Sequence, residues 1–89
     1  MSLRPVARLG DHCDHGGPII TASSTRHVDG IGCARVTDLY DCPIPGHGIN
    51  PIVSGSSCAT VDGLKVARVG DKTACGATIA AGSPSWSSE

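Results

Sequence analysis

Apolar residues in this chain occur in short β-prone segments that are separated by glycine, proline and aspartate. Asp29-Gly30 and Asp62-Gly63 each lie between two such segments. An Asp-Gly pair suits the positive φ angles of a type I′ hairpin turn. The pattern therefore predicts two hairpins, which pair residues 25–28 with 31–36 and residues 58–61 with 64–69.

Further short strands are expected near residues 19–22, 52–54 and 78–81. The chain has 12 glycines and 6 prolines among 89 residues, so no window supports a long amphipathic helix. We predict an all-β fold and a single domain over residues 1–89. The C-terminal residues 83–89 are expected to form a frayed tail.

Two strings recur without gaps along the chain. The first occupies residues 5–11, 32–38 and 65–71, and the second occupies residues 18–30 and 51–63, with a truncated copy at 78–84. Self-similarity at a fixed spacing indicates a repeat architecture. The prediction is three β-hairpin-like repeats, over about residues 4–30, 31–63 and 64–84, related by pseudo-threefold symmetry and followed by the tail at 85–89.

Each copy of the first string ends in an aspartate, and four residues later comes a candidate metal ligand: His15, Cys42 or Cys75. Three repeats that each supply one ligand describe a tripod around a single ion. The middle repeat alone carries an insertion, residues 43–48, and its His47 provides the fourth corner. Two imidazoles and two thiolates favour one structural Zn²⁺ per chain.

Two neighbouring residues compete for a place in this set. Cys13 and His12 lie beside His15 in the sequence, and either could complete the site in place of Cys42. Of the remaining candidates, Cys33 and Cys58 fall in predicted strands and are interpreted as buried packing residues.

His27 is expected on the surface of a strand. Arg8, Arg35 and Arg68 recur three residues before Asp11, Asp38 and Asp71, respectively. We interpret these pairs as structural ion pairs or turn caps in preference to a charged surface for a partner.

Charge and composition exclude several functional classes. The net charge is −1 and the seven Lys and Arg are dispersed, so no basic stripe is present for nucleic acid. No apolar run is long enough to span a bilayer, and the start of the sequence lacks the apolar run of a secretory signal. We therefore expect the chain in the cytosol first. Its five cysteines are there free thiols or metal ligands.

Enzymatic function is not expected. Glu89 is the only glutamate, and four protein ligands would close the metal site to substrate. No Cys-x-x-Cys redox pair occurs. A small zinc hydrolase or thiol-redox protein is the weakest reading. Because the single Trp and Tyr and the absence of Phe leave only a thin core, a metal is expected to stabilise the fold.

Several strings resemble one family. Val6-Ala7-Arg8 and its two copies, each running on to an aspartate, are similar to the proline-alanine-alanine-arginine repeats of PAAR proteins. Other similar strings are His15-Gly-Gly, Cys42-Pro with His47-Gly, residues 50–56 and residues 70–76. The resemblance covers residues 4 to about 84. No copy spells Pro-Ala-Ala-Arg, and Tyr40 and Asp41 stand where family sites can carry a further histidine.

The resemblance implies a small cone-shaped domain of three β-hairpin-like repeats with one zinc ion near its apex. The ligands carried over are His15, Cys42, His47 and Cys75. It further implies a structural tip that caps and sharpens the trimeric β-helical spike of a type VI secretion system, at one chain per trimer of a VgrG-like protein. The expected role is membrane puncturing, so the target-cell membrane is a further partner.

Two variants of that role stay open at this stage. One is the tip of a contractile phage tail spike, and the other is an adaptor that attaches toxin effectors to the spike. In either variant the chain is expected in the cytoplasm before firing. The secretion apparatus then translocates it without a signal peptide.

Overall fold

Short antiparallel strands make up the regular structure of the chain. The computed structural model describes residues 3–89, and these residues contain no helix, hence none long and apolar enough to cross a membrane. The strands are β1 Arg4–Pro5, β2 His27–Val28, β3 Ile31–Gly32, β4 Leu39–Asp41, β5 Ile49–Pro51, β6 Thr60–Val61, β7 Leu64–Lys65 and β8 Ser87–Ser88. The predicted all-β class is confirmed.

The two Asp-Gly hairpins form where the sequence predicts them. β2 pairs with β3, and β6 pairs with β7, across Asp29-Gly30 and Asp62-Gly63. The φ angles of these turn residues are 56° and 78° in the first turn and 55° and 79° in the second. Positive φ at both central positions is the requirement of a type I′ turn.

Both hairpins are shorter than predicted because a serine turn precedes each one. The Ser23 hydroxyl accepts hydrogen bonds from the backbone N–H groups of Thr25 and Arg26, and the Ser56 hydroxyl accepts them from Cys58 and Ala59. Such side-chain bonds offer the backbone an alternative to strand pairing. The predicted strands at 25–28 and 58–61 therefore begin two residues late.

Three alanines link the repeats in a closed ring. Ala7 N–H donates to the Ala67 carbonyl at 2.9 Å, Ala67 N–H to Ala34 at 3.0 Å, and Ala34 N–H to Ala7 at 3.0 Å. All three side chains are fully buried. Each repeat thus donates to one neighbour and accepts from the other. This cyclic order is compatible with the expected pseudo-threefold axis, which stays a prediction, as does the conical outline.

The ring separates two apolar cores. The larger core contains the three alanines together with Cys13, Ile19, Tyr40, Cys42, Ile52, Ala77 and Ile79. The smaller core contains the residue that precedes each alanine, together with one valine from each Asp-Gly hairpin: Val6, Cys33, Val66, Val28 and Val61. Successive side chains of an extended segment point to opposite faces. The two cores therefore lie on opposite sides of the alanine ring.

Carboxylates connect the repeats on the side of the smaller core. Asp62 accepts hydrogen bonds from Ser23 and Thr25 of the preceding repeat, both at 2.6 Å, and lies 2.8 Å from Arg35 Nη1. Asp29 accepts in the same way from Ser83, Ser85 and Arg8. At the third such position, Ser56 donates to the main-chain oxygen of Glu89 at 2.6 Å.

One hairpin was not predicted. β4 pairs with β5 in the register Leu39↔Pro51, Tyr40↔Asn50 and Asp41↔Ile49, around the loop at residues 42–48. The strands expected near residues 19–22, 52–54 and 78–81 appear only as isolated bridges that link different segments: Ile19↔Tyr40, Ile52↔Thr73, Cys13↔Ile79 and Lys72↔Thr78. The apolar residues of these segments make contacts between repeats and do not form local strands.

The prediction of a frayed C-terminal tail is wrong. β8 pairs with β1 in the register Arg4↔Ser88 and Pro5↔Ser87. Ser83 and Ser88 are buried, and Trp86 packs against the smaller core. Residues 83–89 complete the third repeat. They form a serine turn followed by a strand, as residues 23–28 do in the first repeat.

Candidate metal centre

The loop that carries each candidate ligand leaves from the same kind of turn. In the third copy, Asp71 accepts hydrogen bonds from the backbone N–H of Arg68 at 2.8 Å and from its Nε at 2.9 Å. Asp11 with Arg8, and Asp38 with Arg35, repeat this pattern. The interpretation of the Arg-Asp pairs as structural turn caps is confirmed. Each turn fixes the direction in which the chain continues toward its ligand.

The middle copy of this turn carries a non-glycine residue at a strained position. Thr37 has a φ angle of 84°, where the other two copies have Gly10 at 87° and Gly70 at 93°. All three residues donate their N–H to an isoleucine carbonyl, at 2.8–2.9 Å. A β-branched residue pays a steric cost at positive φ. Thr37 nevertheless makes the same turn as the two glycines, and the chain continues from it to Cys42.

The four predicted ligands come together on the side of the larger core. One ligand atom from each of His15, Cys42, His47 and Cys75 lies within 4.8 Å of the other three. Cys42 Sγ is 3.5 Å from His15 Nδ1 and 3.4 Å from His47 Nδ1, and Cys75 Sγ is 3.9 Å from His15 Nδ1. These side chains converge on a point from three separate loops. Their role as ligands stays a prediction.

Close backbone packing positions His15 beside Cys42. A Cβ atom on Gly17 would lie 1.7 Å from the Asp41 carbonyl oxygen, so the first ligand loop approaches the middle one as only glycine allows. Gly17 N–H donates to the hydroxyl of Tyr40 at 3.2 Å. Tyr40 is fully buried. The His15-Gly-Gly string thus owes its second glycine to packing against the loop of Cys42.

Asn50 connects the middle and third ligand loops, a role that the sequence analysis did not predict. Its side chain is buried, accepts a hydrogen bond from the backbone N–H of Cys75 at 3.0 Å and donates to the Gly48 carbonyl at 3.0 Å. It therefore holds the turn that ends the His47 loop against the backbone of Cys75. The other two repeats have no asparagine, so the repeat alignment could not identify Asn50. Only its contacts in the structure show that it joins two ligand loops.

Hydrogen bonds favour the thiolate form of Cys75. Burial opposes its ionisation, but bonds from Thr73, from the backbone of Ala77 and from the side chains of His47 and Cys42 outweigh burial and lower the pKa to about 6. The Thr73 hydroxyl lies 3.2 Å from the sulfur. A thiolate is the form in which cysteine binds metals.

The structure separates the neighbouring candidates from this cluster. Cys13 is 1% exposed and belongs to the larger core. Burial, with Asp14, Cys75 and Cys42 nearby, raises its pKa to about 12, so the thiol stays protonated. His12 is exposed, and its backbone pairs with Pro18. Neither residue belongs to the group of converging His and Cys side chains found among residues 3–89.

The other two cysteines differ from each other. Cys33 is fully buried in the smaller core, as predicted. Cys58 is exposed, so the prediction that it packs in a strand is wrong. The Ser56 turn removes Cys58 from the strand, and its thiol faces the main-chain oxygen of Glu89 at 3.7 Å. His27 is an exposed residue of β2, as predicted.

The donor set fits a single soft or borderline metal ion. Two imidazole nitrogens and two sulfurs complete a tetrahedron, which leaves no open position for a substrate. Asp14 Oδ1 lies 3.9 Å from His15 Nε2, on the nitrogen opposite the one that faces the cluster. Carboxylates in this position orient metal-bound imidazoles. The arrangement can therefore join three chain segments at one point.

Comparison with known proteins agrees with this geometry. A protein-family model described as the PAAR motif matches residues 9–81 of the chain. This range contains all four cluster residues, the second and third Arg-Asp turns, and Asp11 of the first. No curated protein matches the chain.

Proposed function

This chain belongs to the PAAR-motif family, and we propose that it is a zinc-stabilised structural tip that caps the trimeric β-helical spike of a type VI secretion system. The coarser conclusion, a protein of the spike-tip type with a candidate metal site, follows from the family and from the cluster. The secretion system, the spike partner, the zinc and the membrane-puncturing role are the proposal.

The observation that carries the proposal is the closed ring of three repeats around a four-residue cluster. A homotrimeric spike ends in three equivalent open strand edges, and unpaired edges are a liability that proteins cover. One chain with three similar segments matches such an end one to one. The cluster supports a structural role, because four protein ligands occupy every position of a tetrahedral zinc ion.

The side of the smaller core is the proposed docking face. A cavity of about 510 Å³ opens there, and it is lined by residues of all three repeats, including Arg26, Ala59 and Trp86. These three occupy aligned positions, one in each repeat. The Arg26 guanidinium lies 5.3 Å from the centre of the Trp86 ring. The sole tryptophan of the chain thus lines this face.

The test is to mix the purified chain with a trimeric spike β-helix encoded beside it and to measure the mass of the complex. We expect one chain per trimer, with little dependence on salt because the net charge is −1. Trp86 fluorescence should change on binding, since Trp86 lines the docking face. A 3:3 complex, or no binding to any neighbouring spike, would overturn the cap.

A phage tail spike is the alternative partner, and the same family match supports it. Binding to a phage spike trimer, and not to a secretion spike, would select this alternative. Attachment of toxin effectors is compatible with both. In either setting we propose a protein without enzymatic activity that is held in the cytoplasm until the apparatus translocates it.

A further inference from the structure

We propose that Cys42 and Cys75 form a redox-reactive pair, in which oxidation by a peroxide joins the two sulfurs and releases the metal. The proposal rests on the zinc site of the proposed function. It concerns a covalent modification of this chain that the family match does not assign. Its basis is that two of the four converging side chains are cysteines, and that they belong to different repeats.

The geometry places the two sulfurs within reach of each other. Their Sγ atoms lie no more than 4.8 Å apart, and a disulfide needs about 2.05 Å. A change of side-chain rotamer moves a cysteine sulfur by roughly 2–3 Å. The backbone of Cys42 is fixed by its hydrogen bond to Gly48, and that of Cys75 by its bond to Asn50. Rotation of the two side chains brings the sulfurs closer, and any further approach has to come from the ligand loops themselves.

The pair is distinct from the other thiols. Cys33 lies in the smaller core, beyond the alanine ring, and Cys58 is exposed on that same side. Cys13 lies nearer, but it is buried at 1% exposure as part of the larger core. Cys75 is half-buried, so an oxidant in solvent reaches its sulfur, and Cys42 beside it is positioned to resolve the first product.

The chemistry balances with hydrogen peroxide as the oxidant. The two thiolates together lose two electrons, and one S–S bond forms. The O–O bond of the peroxide breaks, and its two oxygens take up two protons and leave as two waters. In a zinc-loaded chain, only the imidazoles of His15 and His47 would then remain as ligands, and they would hold the ion too weakly to retain it. A thiol reductant reverses the reaction and restores the site when zinc is present.

Oxidation would change which repeats are joined. The four-residue cluster links all three repeats, whereas a Cys42–Cys75 bond links only the second and third. The first repeat would lose the link through His15, and its ligand loop would be held by the packing of Gly17 against Asp41 and by the hydrogen bonds between Asp14 and Thr78. Hydrogen exchange around residues 14–17 should therefore increase in the oxidised chain, while the Asp-Gly hairpins keep their protection.

The experiment treats the zinc-loaded full chain with hydrogen peroxide and follows zinc with a colorimetric chelator. Peptide mapping identifies the linked cysteines. The matched controls are Cys42→His and Cys75→His, which keep four ligands but remove one sulfur. Two variants are used because a histidine at the buried position 42 risks misfolding, whereas Cys75 is half-buried.

We expect zinc release at least tenfold faster from the native chain than from either histidine variant, with a Cys42–Cys75 disulfide as product and recovery after reduction. Cys58→Ser should behave as the native chain does. Equal release rates, a disulfide to Cys13, or sulfinic acid without a disulfide would overturn the pair. A chain that holds no zinc before oxidation would contradict the proposed metal site alone. Peptide mapping of the peroxide-treated metal-free chain would then show whether Cys42 and Cys75 still form a disulfide.

Discussion

The two sides of the alanine ring hold the same three repeats together by different means. On one side, four His and Cys side chains converge on a point, where we expect an ion to join them. On the other side, valines and Cys33 pack together, and Asp29 and Asp62 bind hydroxyls of neighbouring repeats directly. If the proposed metal site is correct, the first arrangement needs a metal ion and reduced sulfur. The second needs only the folded chain.

The side chains available on each side explain why the repeats are held together in two different ways. The larger core lies on the side of the cluster, but the four converging side chains are two histidines and two cysteines, which bury little apolar area against one another. We therefore expect a metal to join these four side chains, as metals do in other small domains. On the side of the smaller core, the valines and Trp86 pack together, and hydrogen bonds join the repeats without an ion.

The largest expected effect is removal of the metal. Untagged protein should contain close to one zinc per chain by elemental analysis. A structural zinc contributes on the order of 10 kcal/mol of apparent binding energy at neutral pH. Excess chelator should therefore lower the melting temperature steeply, and acid should do the same because protons compete with the metal for its ligands. An equally stable metal-free preparation would show that the two sides do not differ in this way.

The effect of single cysteine substitutions on zinc content should depend on whether the cysteine belongs to the four-residue cluster. Cys42→Ser and Cys75→Ser should lose most of the bound zinc, whereas Cys13→Ser, Cys33→Ser and Cys58→Ser should retain it. The measurement is zinc per chain after gel filtration in the presence of a weak chelator. Release of zinc by Cys13→Ser, with retention by Cys42→Ser, would move the ligand set to the first repeat.

Asp29 tests the side that needs no metal. Hydrogen bonds from Ser83 and Ser85, with Arg8 nearby, hold the pKa of Asp29 below its usual range. A lowered folded-state pKa stabilises the fold above the unfolded-state value of about 3.9, and this stabilisation is lost as the pH falls through the folded-state value. Asp29→Asn should therefore melt at a lower temperature than the native chain at pH 7.

The gap between the two proteins should close in acid, below about pH 4. Melting curves across pH measure this effect. Zinc content is the control, and it should be equal in both proteins at pH 7, since Asp29 lies beyond the alanine ring from the cluster. A loss of zinc in Asp29→Asn would show that the two sides are coupled more tightly than their contacts indicate.

The smallest expected effect is a gain in the free energy of unfolding. Thr37→Gly should stabilise the protein by about 1 kcal/mol, because it relieves a positive φ angle of 84°. Denaturant unfolding of the zinc-loaded protein measures this difference. Gly10→Ala is the matched control, since a Cβ there meets no atom within 4 Å and adds only backbone strain. It should destabilise by a similar amount. A loss of stability in Thr37→Gly, or a gain in Gly10→Ala, would refute the strain.

Repetition made much of the fold predictable. The three Arg-Asp turns and the two Asp-Gly hairpins follow from residue types whose local chemistry dictates their geometry. Because each repeat places its ligand at the same distance from its turn, the convergence of His15, Cys42 and Cys75 could be predicted without knowing any contact. His47 followed from the insertion that only the middle repeat carries.

The features that were missed depend on partners distant in sequence. Ser87 and Ser88 have no β-prone character, and they form a strand only because β1 offers an edge. Cys58 leaves its predicted strand because of a hydroxyl two residues earlier. Asn50 matters only once the His47 loop lies against Cys75. Patterns read along the chain contain no signal for such contacts.

The ring of alanine hydrogen bonds has a consequence for how the protein reaches its native state. Ala7 and Ala67 bind each other from the first and last repeats, so the ring closes only after the third repeat has left the ribosome. Until then the first two repeats expose an unpaired donor and an unpaired acceptor at the open gap. Folding that waits for such non-local pairing is slow. We therefore expect cotranslational assembly to stall at two repeats and the native state to form in one late, cooperative step.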